Sequence, residues 1–193
     1  MRTLVLFAHP VAESLSAALH TTVVDTLTAR GWEVDDCDLY AEGFQPVLTA
    51  EERRGYHDVE TNCAPVQSYV DRVRRAEALV LVFPVWNFGY PAILKGFLDR
   101  VFLPGVSFKI ENQTLVPNLH NIKRLAAVTT YGGAASRAFL VGDPPKKSVT
   151  RHLRAVVHPK CRTRYLALYG MNKAEHAKRA AFVARVAREM ERL

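Results

Sequence analysis

Two short runs, Thr3 to Ala8 (TLVLFA) and Ala78 to Phe83 (ALVLVF), constrain this chain more than anything else in it, because they are apolar at nearly every position. A strand with one wet face alternates between apolar and polar residues. A strand buried on both faces does not, and such strands belong to parallel sheets covered by helices on either side. The chain also supplies the helices. After Ser14 the apolar residues Leu15, Ala18, Leu19, Val23 and Leu27 recur at helical spacing and stop at Arg30-Gly31, which predicts a helix over about 15–30. Trp32 to Leu39 reads as the second strand. A long excursion follows to about Ala64, with a short helix at TAEERR, before a helix at Pro65 to Ala76 leads into the third strand, Ala78 to Phe83.

The same rhythm continues. Pro91 to Phe102 reads as a helix, Ser107–Ile110 with Thr114–Val116 as a small hairpin, and Arg124 to Thr130 as the fourth strand. Residues 145–157 hold a helix, Thr163 to Tyr169 is the fifth strand, and Lys173 to Leu193 the last helix. Five strands alternating with helices predict a doubly wound, three-layer α/β fold, since parallel strands need crossovers that lie on the sheet faces. No repeat or linker interrupts the pattern, so one domain over residues 1–193 is expected.

Composition narrows the function classes. At 49% hydrophobic and 23% charged the chain is expected to be globular rather than disordered. The apolar run Leu4–Ala8 is too short to cross a bilayer or to form the core of a signal peptide, which predicts a cytoplasmic protein with no integral membrane segment. Cys37, Cys63 and Cys161 are odd in number and widely spaced, as reduced thiols would be, and the seven histidines show no ligand spacing, so no metal is predicted. A net charge of +7 favours an anionic partner. Nucleic acid is not expected, because no recognition element or basic stripe with stacking aromatics is present.

In a doubly wound sheet, ligands sit outside the carboxyl ends of the strands, so the segments after the first, third and fourth strands belong together. The first, HPVAESLS, puts Ser14 and Ser16 at a helix start, where free N–H groups and the helix dipole favour a phosphate; taken alone, Ser14 reads more readily as a plain N-cap. It carries neither GxGxxG nor a P-loop pattern. The second, from Pro84 to Gly89 (PVWNFG), offers the flat surfaces of Trp86 and Phe88, the hydrogen-bonding side chain of Asn87, and a stiffening proline. The third, TTYGG from Thr129 to Gly133, supplies hydroxyls, one aromatic face and two glycines that allow close backbone approach. One loop suits a phosphate and two suit the face and edge of a heteroaromatic ring, which is what a flavin phosphate needs.

The stretches LVLFAHPVAESLSAAL, GWEVDDCDLYAEGFQPVLT, LVFPVWNFGYPAILKGFLDRVF and AAVTTYGG resemble the flavodoxin-like NAD(P)H:quinone oxidoreductase family, the group of DT-diaphorase and the modulators of drug activity. The resemblance implies a flavodoxin-like three-layer sandwich with a five-stranded parallel sheet in the order 2-1-3-4-5. It also implies a bound FMN, or alternatively FAD, with NADPH or NADH as electron donor. On this resemblance His9, Ser14, Leu15 and Ser16 match the phosphate loop, and Pro84, Val85, Trp86, Asn87 and Phe88 match the ring-binding loop. Thr129, Thr130, Gly132 and Gly133 match the loop at the polar edge of the flavin, with Tyr131 as an added residue within it. Ser16 stands where an asparagine is frequent. Beyond Gly133 no tyrosine and histidine pair is matched, so no catalytic protein acid is assigned.

The implied activity is hydride transfer from NAD(P)H to the flavin and then two electrons to a quinone-like acceptor, by a ping-pong mechanism in a homodimer. The lysines and arginines near the cleft, Lys146 and Lys147 among them, suit NADPH. Two rival readings come from the same fold: a flavin-binding ancillary regulatory subunit of a potassium-efflux system, and a one-electron carrier of flavodoxin type, the latter disfavoured by the basic charge.

Overall fold

The apolar runs form the middle of one sheet. The computed structural model describes residues 1–193, and its main sheet contains β1 (Arg2–Phe7), β2 (Glu33–Asp38), β3 (Ala78–Val85), β6 (Arg124–Tyr131) and β7 (Arg162–Leu168). All neighbours are parallel and the order is β2-β1-β3-β6-β7, which is 2-1-3-4-5 when only these strands are counted. The remaining pair, β4 (Phe108–Glu111) and β5 (Thr114–Pro117), forms the antiparallel hairpin expected between the third and fourth sheet strands.

Side-chain alternation along the central strands feeds two separate cores. Leu4, Leu6, Leu79, Leu81, Phe83 and Leu125 face one side, where they meet α3 (Gln67–Arg75) and α4 (Ala92–Val101) through Val70, Val73, Leu94 and Phe97. Val5, Phe7, Val80, Val82, Ala126 and Val128 face the other. There they meet α1 (Leu15–Ala29) and α8 (His176–Glu191), through Leu19, Val23, Phe182 and Val186. Because both faces of β1, β3 and β6 are covered, continuous apolar sequence is what they require.

β3 continues two residues beyond its apolar run, through Pro84 to Val85. A proline is tolerated here because β1 has already ended: Phe7 lies opposite Val82, so Pro84 has no β1 residue to bond on that side. Past that point β3 and β6 run on together, with Pro84 opposite Thr130 and Val85 opposite Tyr131. The sequence reading missed α5 (Ala135–Leu140), whose six residues are too few to show a period. The helix expected over 145–157 is α6 (Pro144–Lys147) followed by a π-helical stretch at Ser148–Leu153 and then α7 (Arg154–Val156). The last helix begins at His176 because Gly170, at φ 69°, and a 3-10 turn over Met171–Lys173 precede it.

The long excursion after β2 is held down by two cations, Arg72, which binds Glu42 at 2.8 Å, and Arg100. Arg100 of α4 is 9% exposed; it donates to Glu52 Oε1 through Nε at 2.9 Å and Nη2 at 2.5 Å, and to the Gln45 carbonyl. Glu52 belongs to α2 (Ala50–Arg54), where it also completes a capping box with Thr49. Burial alone would push the Glu52 carboxyl up, but the Thr49 backbone N–H and the Arg100 guanidinium outweigh it and hold the group below the usual glutamate value. A depressed carboxylate stabilises the fold at pH values above its unfolded pKa, and that contribution disappears as pH falls through the lower folded value. Glu52→Gln is therefore expected to flatten the acid limb of a stability–pH curve followed by urea denaturation, with little change in its slope near neutrality. Beside this anchor, a Cβ on Gly96 would lie 2.2 Å from the Pro46 carbonyl oxygen and 2.4 Å from Pro46 Cβ. Gly96→Ala is expected to cost about 2 kcal/mol, read as a lower midpoint in the same denaturation.

Candidate functional site

The staggered ends of β1, β3 and β6 leave a crevice at the carboxyl edge of the sheet, and the three loops meet around it. The β3 loop closes on itself: Trp86 N–H donates to the Gly89 carbonyl at 3.2 Å and Gly89 N–H to the Trp86 carbonyl at 2.8 Å. Between them Asn87 and Phe88 have φ of 49° and 57°. Two consecutive positive φ values in a two-residue hairpin are the geometry of a type I′ turn, for which asparagine is suited and phenylalanine is not. The turn places Phe88 at its tip at the cost of that strain, where it is 41% exposed, as is Trp86. His9, half-buried at the end of β1, sits with its ring 5.8 Å from that of Trp86 and accepts a hydrogen bond from Val11 N–H at 3.0 Å.

Opposite this turn the chain leaves β6 through Gly132 and Gly133. Together with Val85, Asn87, Phe88 and Asn172 they line a cleft of about 290 Å³. A Cβ on Gly133 would meet nothing within 4 Å, so the backbone there faces open space on the cleft side; one on Gly132 would come within 2.9 Å of Asn172 Nδ2. The cleft therefore has one wall from the Asn87–Phe88 turn, with the Phe88 ring, and one of glycine backbone, while Trp86 lies outside its lining, beside His9. Such a slot fits a flat heteroaromatic ring with polar edge atoms, the shape of an isoalloxazine.

The other phosphate-loop residues, Ser14, Leu15 and Ser16, lie apart from that cleft, at the start of α1. Ser14 is the N-cap, its Oγ accepting from Ala17 N–H at 3.1 Å. That leaves the N–H groups of Leu15 and Ser16 ahead of the first intrahelical bond, directed out of the helix end. The Ser16 side chain is buried at 4% exposure, and Leu15 packs on the α1 core. Pro84 is likewise buried within β3. Thr129 and Thr130 lie inside β6 at 0% and 3% exposure, so their hydroxyls point into the protein layers and the main chain of this loop forms the rim.

Tyr131 is the last residue of β6 and organises what lies behind the glycines. Its hydroxyl is 2.6 Å from Asp143 Oδ1 and 2.6 Å from the Tyr165 hydroxyl, while the Tyr169 hydroxyl donates to Asp143 Oδ2 at 2.9 Å. Because a phenol has one proton and the Tyr131 proton goes to the carboxylate, Tyr165 must donate to Tyr131. Burial, then the hydrogen bond to Asp143, drives the Tyr131 phenol far above its ordinary pKa; the same causes push Tyr169 up to about 12. All three phenols stay protonated across the physiological range. Tyr165 comes from the middle of β7, Tyr169 from just past its end and Asp143 from the turn after α5, so three segments are joined to β6.

Sequence reasoning did not reach Ala134, Arg137, Ala138 and Asn172, which complete the cleft. The first three belong to or adjoin α5, and Asn172 follows β7; the only signal for them was that every strand of such a sheet sends its carboxyl end to this edge.

Comparison with known proteins agrees with this geometry. A family model described as a flavodoxin-like fold matches residues 1–193, and the chain belongs to that family. NAD(P)H dehydrogenase (quinone) 1 of Rattus norvegicus is 31% identical over 157 residues, which cover 73% of this chain and 57% of the rat protein. The match thus spans little more than half the length of that relative. FMN-dependent NADH:quinone oxidoreductase 3 of Bacillus cereus is 28% identical over 90% of this chain and 79% of its own. The crystal structure of Smu.1420 from Streptococcus mutans superposes with a TM-score of 0.87 at 27% identity, covering all of both chains.

The strained turn yields a direct test. Phe88→Gly is expected to raise stability by about 1 kcal/mol, because glycine adopts positive φ without steric cost, while removing part of the aromatic wall. Urea denaturation of the two proteins checks the sign.

Proposed function

We propose that this chain is an FMN-dependent NAD(P)H:quinone oxidoreductase, acting as one flavin-binding unit over residues 1–193. The observation that carries the reading is the narrow cleft between Asn87–Phe88 and the Gly132–Gly133 main chain at the carboxyl edge of a flavodoxin-like sheet. The names of the rat and Bacillus cereus relatives support the reaction class, and the Bacillus name supports FMN over FAD.

In this reading a bound flavin supplies hydride acceptance and two-electron delivery. The protein's part is binding and orientation. Trp86 and Phe88 provide apolar contact to the ring and displace water from it, with His9 buttressing Trp86. The N–H groups of Gly132 and Gly133 are set to donate to the polar edge, where they would favour added negative charge. The N–H groups of Leu15 and Ser16, at the positive end of the 15-residue helix α1, receive the phosphate. Donor and acceptor enter the same slot in turn, which predicts ping-pong kinetics. No side chain is assigned as a proton donor to the acceptor.

The exposed apolar residues Leu140 and Val141, 81% and 48% exposed, fit burial in a homodimer with Trp86 and Phe88 near the partner. Three free, buried cysteines suit the reducing cytoplasm. No helix is long and apolar enough to cross a membrane.

The purified protein is expected to be yellow, or to become so with FMN, and to bleach on anaerobic addition of NADPH or NADH with stoichiometric donor oxidation. A colourless protein that does not take up FMN would overturn the reading. Trp86→Ala should weaken FMN binding at least about tenfold, which corresponds to roughly 1.4 kcal/mol, whereas Cys63→Ala should leave it unchanged; fluorescence titration distinguishes the two. Initial rates at several acceptor concentrations should give parallel double-reciprocal lines.

A further inference from the structure

A second, larger cleft of about 610 Å³ lies on the other side of α5, lined by Phe139, Lys146, Lys147, Thr150, Arg151 and Tyr169. It is contiguous with the ring cleft along the chain: Ala134 lines one and Ala135 the other. Resting on the proposed reductase activity, we propose that this cleft seats the 2′-phosphorylated adenosine end of the donor, so that the enzyme is built for NADPH rather than NADH.

Charge makes the first part of the case. Lys146, Lys147 and Arg151 all line the cleft, and none of them makes an ion pair anywhere in the protein. The one carboxylate in the wall, Asp143, has both oxygens engaged by the hydroxyls of Tyr131 and Tyr169. Three cations therefore converge on a concave surface against a single, already committed carboxylate. Arg137, on the ring-cleft side of the same helix, is also without an ion-pair partner, and lies where a pyrophosphate would run from one cleft to the other. A 2′-phosphate carries close to two negative charges at neutral pH and accepts hydrogen bonds on three oxygens. That is the ligand such a set of donors matches, and Thr150 adds a hydroxyl to it.

Backbone form and an exposed ring make the second part. Lys147 immediately precedes the π-helical stretch Ser148–Leu153, and Thr150 and Arg151 lie within it. The wider π turn departs from the usual helical spacing and is frequent at functional sites. Val149 and Leu153 stay buried on the inner side, so the stretch turns its polar residues to the cleft without losing its core contact. Phe139 is 81% exposed beside these cations, a flat surface on which an adenine can stack. Lys147 Nζ lies close to Gly142, 3.0 Å from where a Cβ would be. That glycine, at φ 80°, gives the ammonium group room at the cleft mouth.

The test uses the FMN-loaded protein and two readouts. In calorimetric titration, adenosine 2′,5′-bisphosphate is expected to bind at least tenfold more tightly than adenosine 5′-monophosphate and than inorganic phosphate, with affinity falling as salt rises. In steady-state kinetics kcat/KM is expected to favour NADPH over NADH, and Lys147→Ala and Arg151→Ala should each lower that ratio at least tenfold while their melting curves overlay the parent. Oxidation of both donors with equal kcat/KM, unaltered by the substitutions, would overturn the cleft assignment and leave the reductase reading standing. Oxidation of neither donor would overturn the reductase reading. The bisphosphate titration would then decide the cleft by itself: binding no tighter than that of inorganic phosphate would mean a general anion surface and end the proposal.

Discussion

The unequal length of three neighbouring parallel strands governs the rest of this molecule. β1 stops opposite Val82, while β3 and β6 stay paired for three residues more. The chain also turns in opposite directions from β1, to β2 on one side and β3 on the other, so the crossovers that cover the sheet diverge there. A divergent pair of crossovers cannot close over the strand ends, and a crevice results. Its position is fixed by hydrogen-bond register and by apolar packing deep in the sheet, far more rigid determinants than any loop.

Around that crevice the useful chemistry is largely carried by the main chain. The α1 N-terminus, the Asn87–Phe88 turn and the Gly132–Gly133 segment all present backbone groups, and aromatic side chains supply the remaining surface. Polar side chains at the same loops are mostly committed elsewhere: Ser14 caps a helix, and Thr129 and Thr130 face inward. Conformation, more than side-chain identity, sets what this edge can bind.

That division explains what could be read from the sequence. The sheet and the three loops followed from the apolar runs at Thr3–Ala8 and Ala78–Phe83 and from the Trp86–Gly89 composition, because burial on two faces writes itself directly into residue type, whereas the strand order was implied only by the family resemblance. The strain at Phe88 was invisible, since nothing in a phenylalanine announces a positive φ. The carboxylate shared by Tyr131 and Tyr169 was equally hidden, as its partners lie 12 and 26 positions away. α5 and the π-helical turn escaped notice because the first is too short, and the second too irregular, to show a 3.6-residue period. Local patterns encode what packs; long-range pairings and unusual dihedrals need the coordinates.

The shared carboxylate also makes one side of the crevice more firmly held than the other. Tyr131 is tied through Asp143 to Tyr169, and the Gly133 carbonyl accepts from Gly170 N–H at 2.8 Å, so the glycine wall is moored at two points to the β7 end. The Trp86–Gly89 turn has only its own pair of hydrogen bonds across its neck. The two walls of the crevice are thus unequally tied, the backbone side into the sheet's far edge and the aromatic side only to itself.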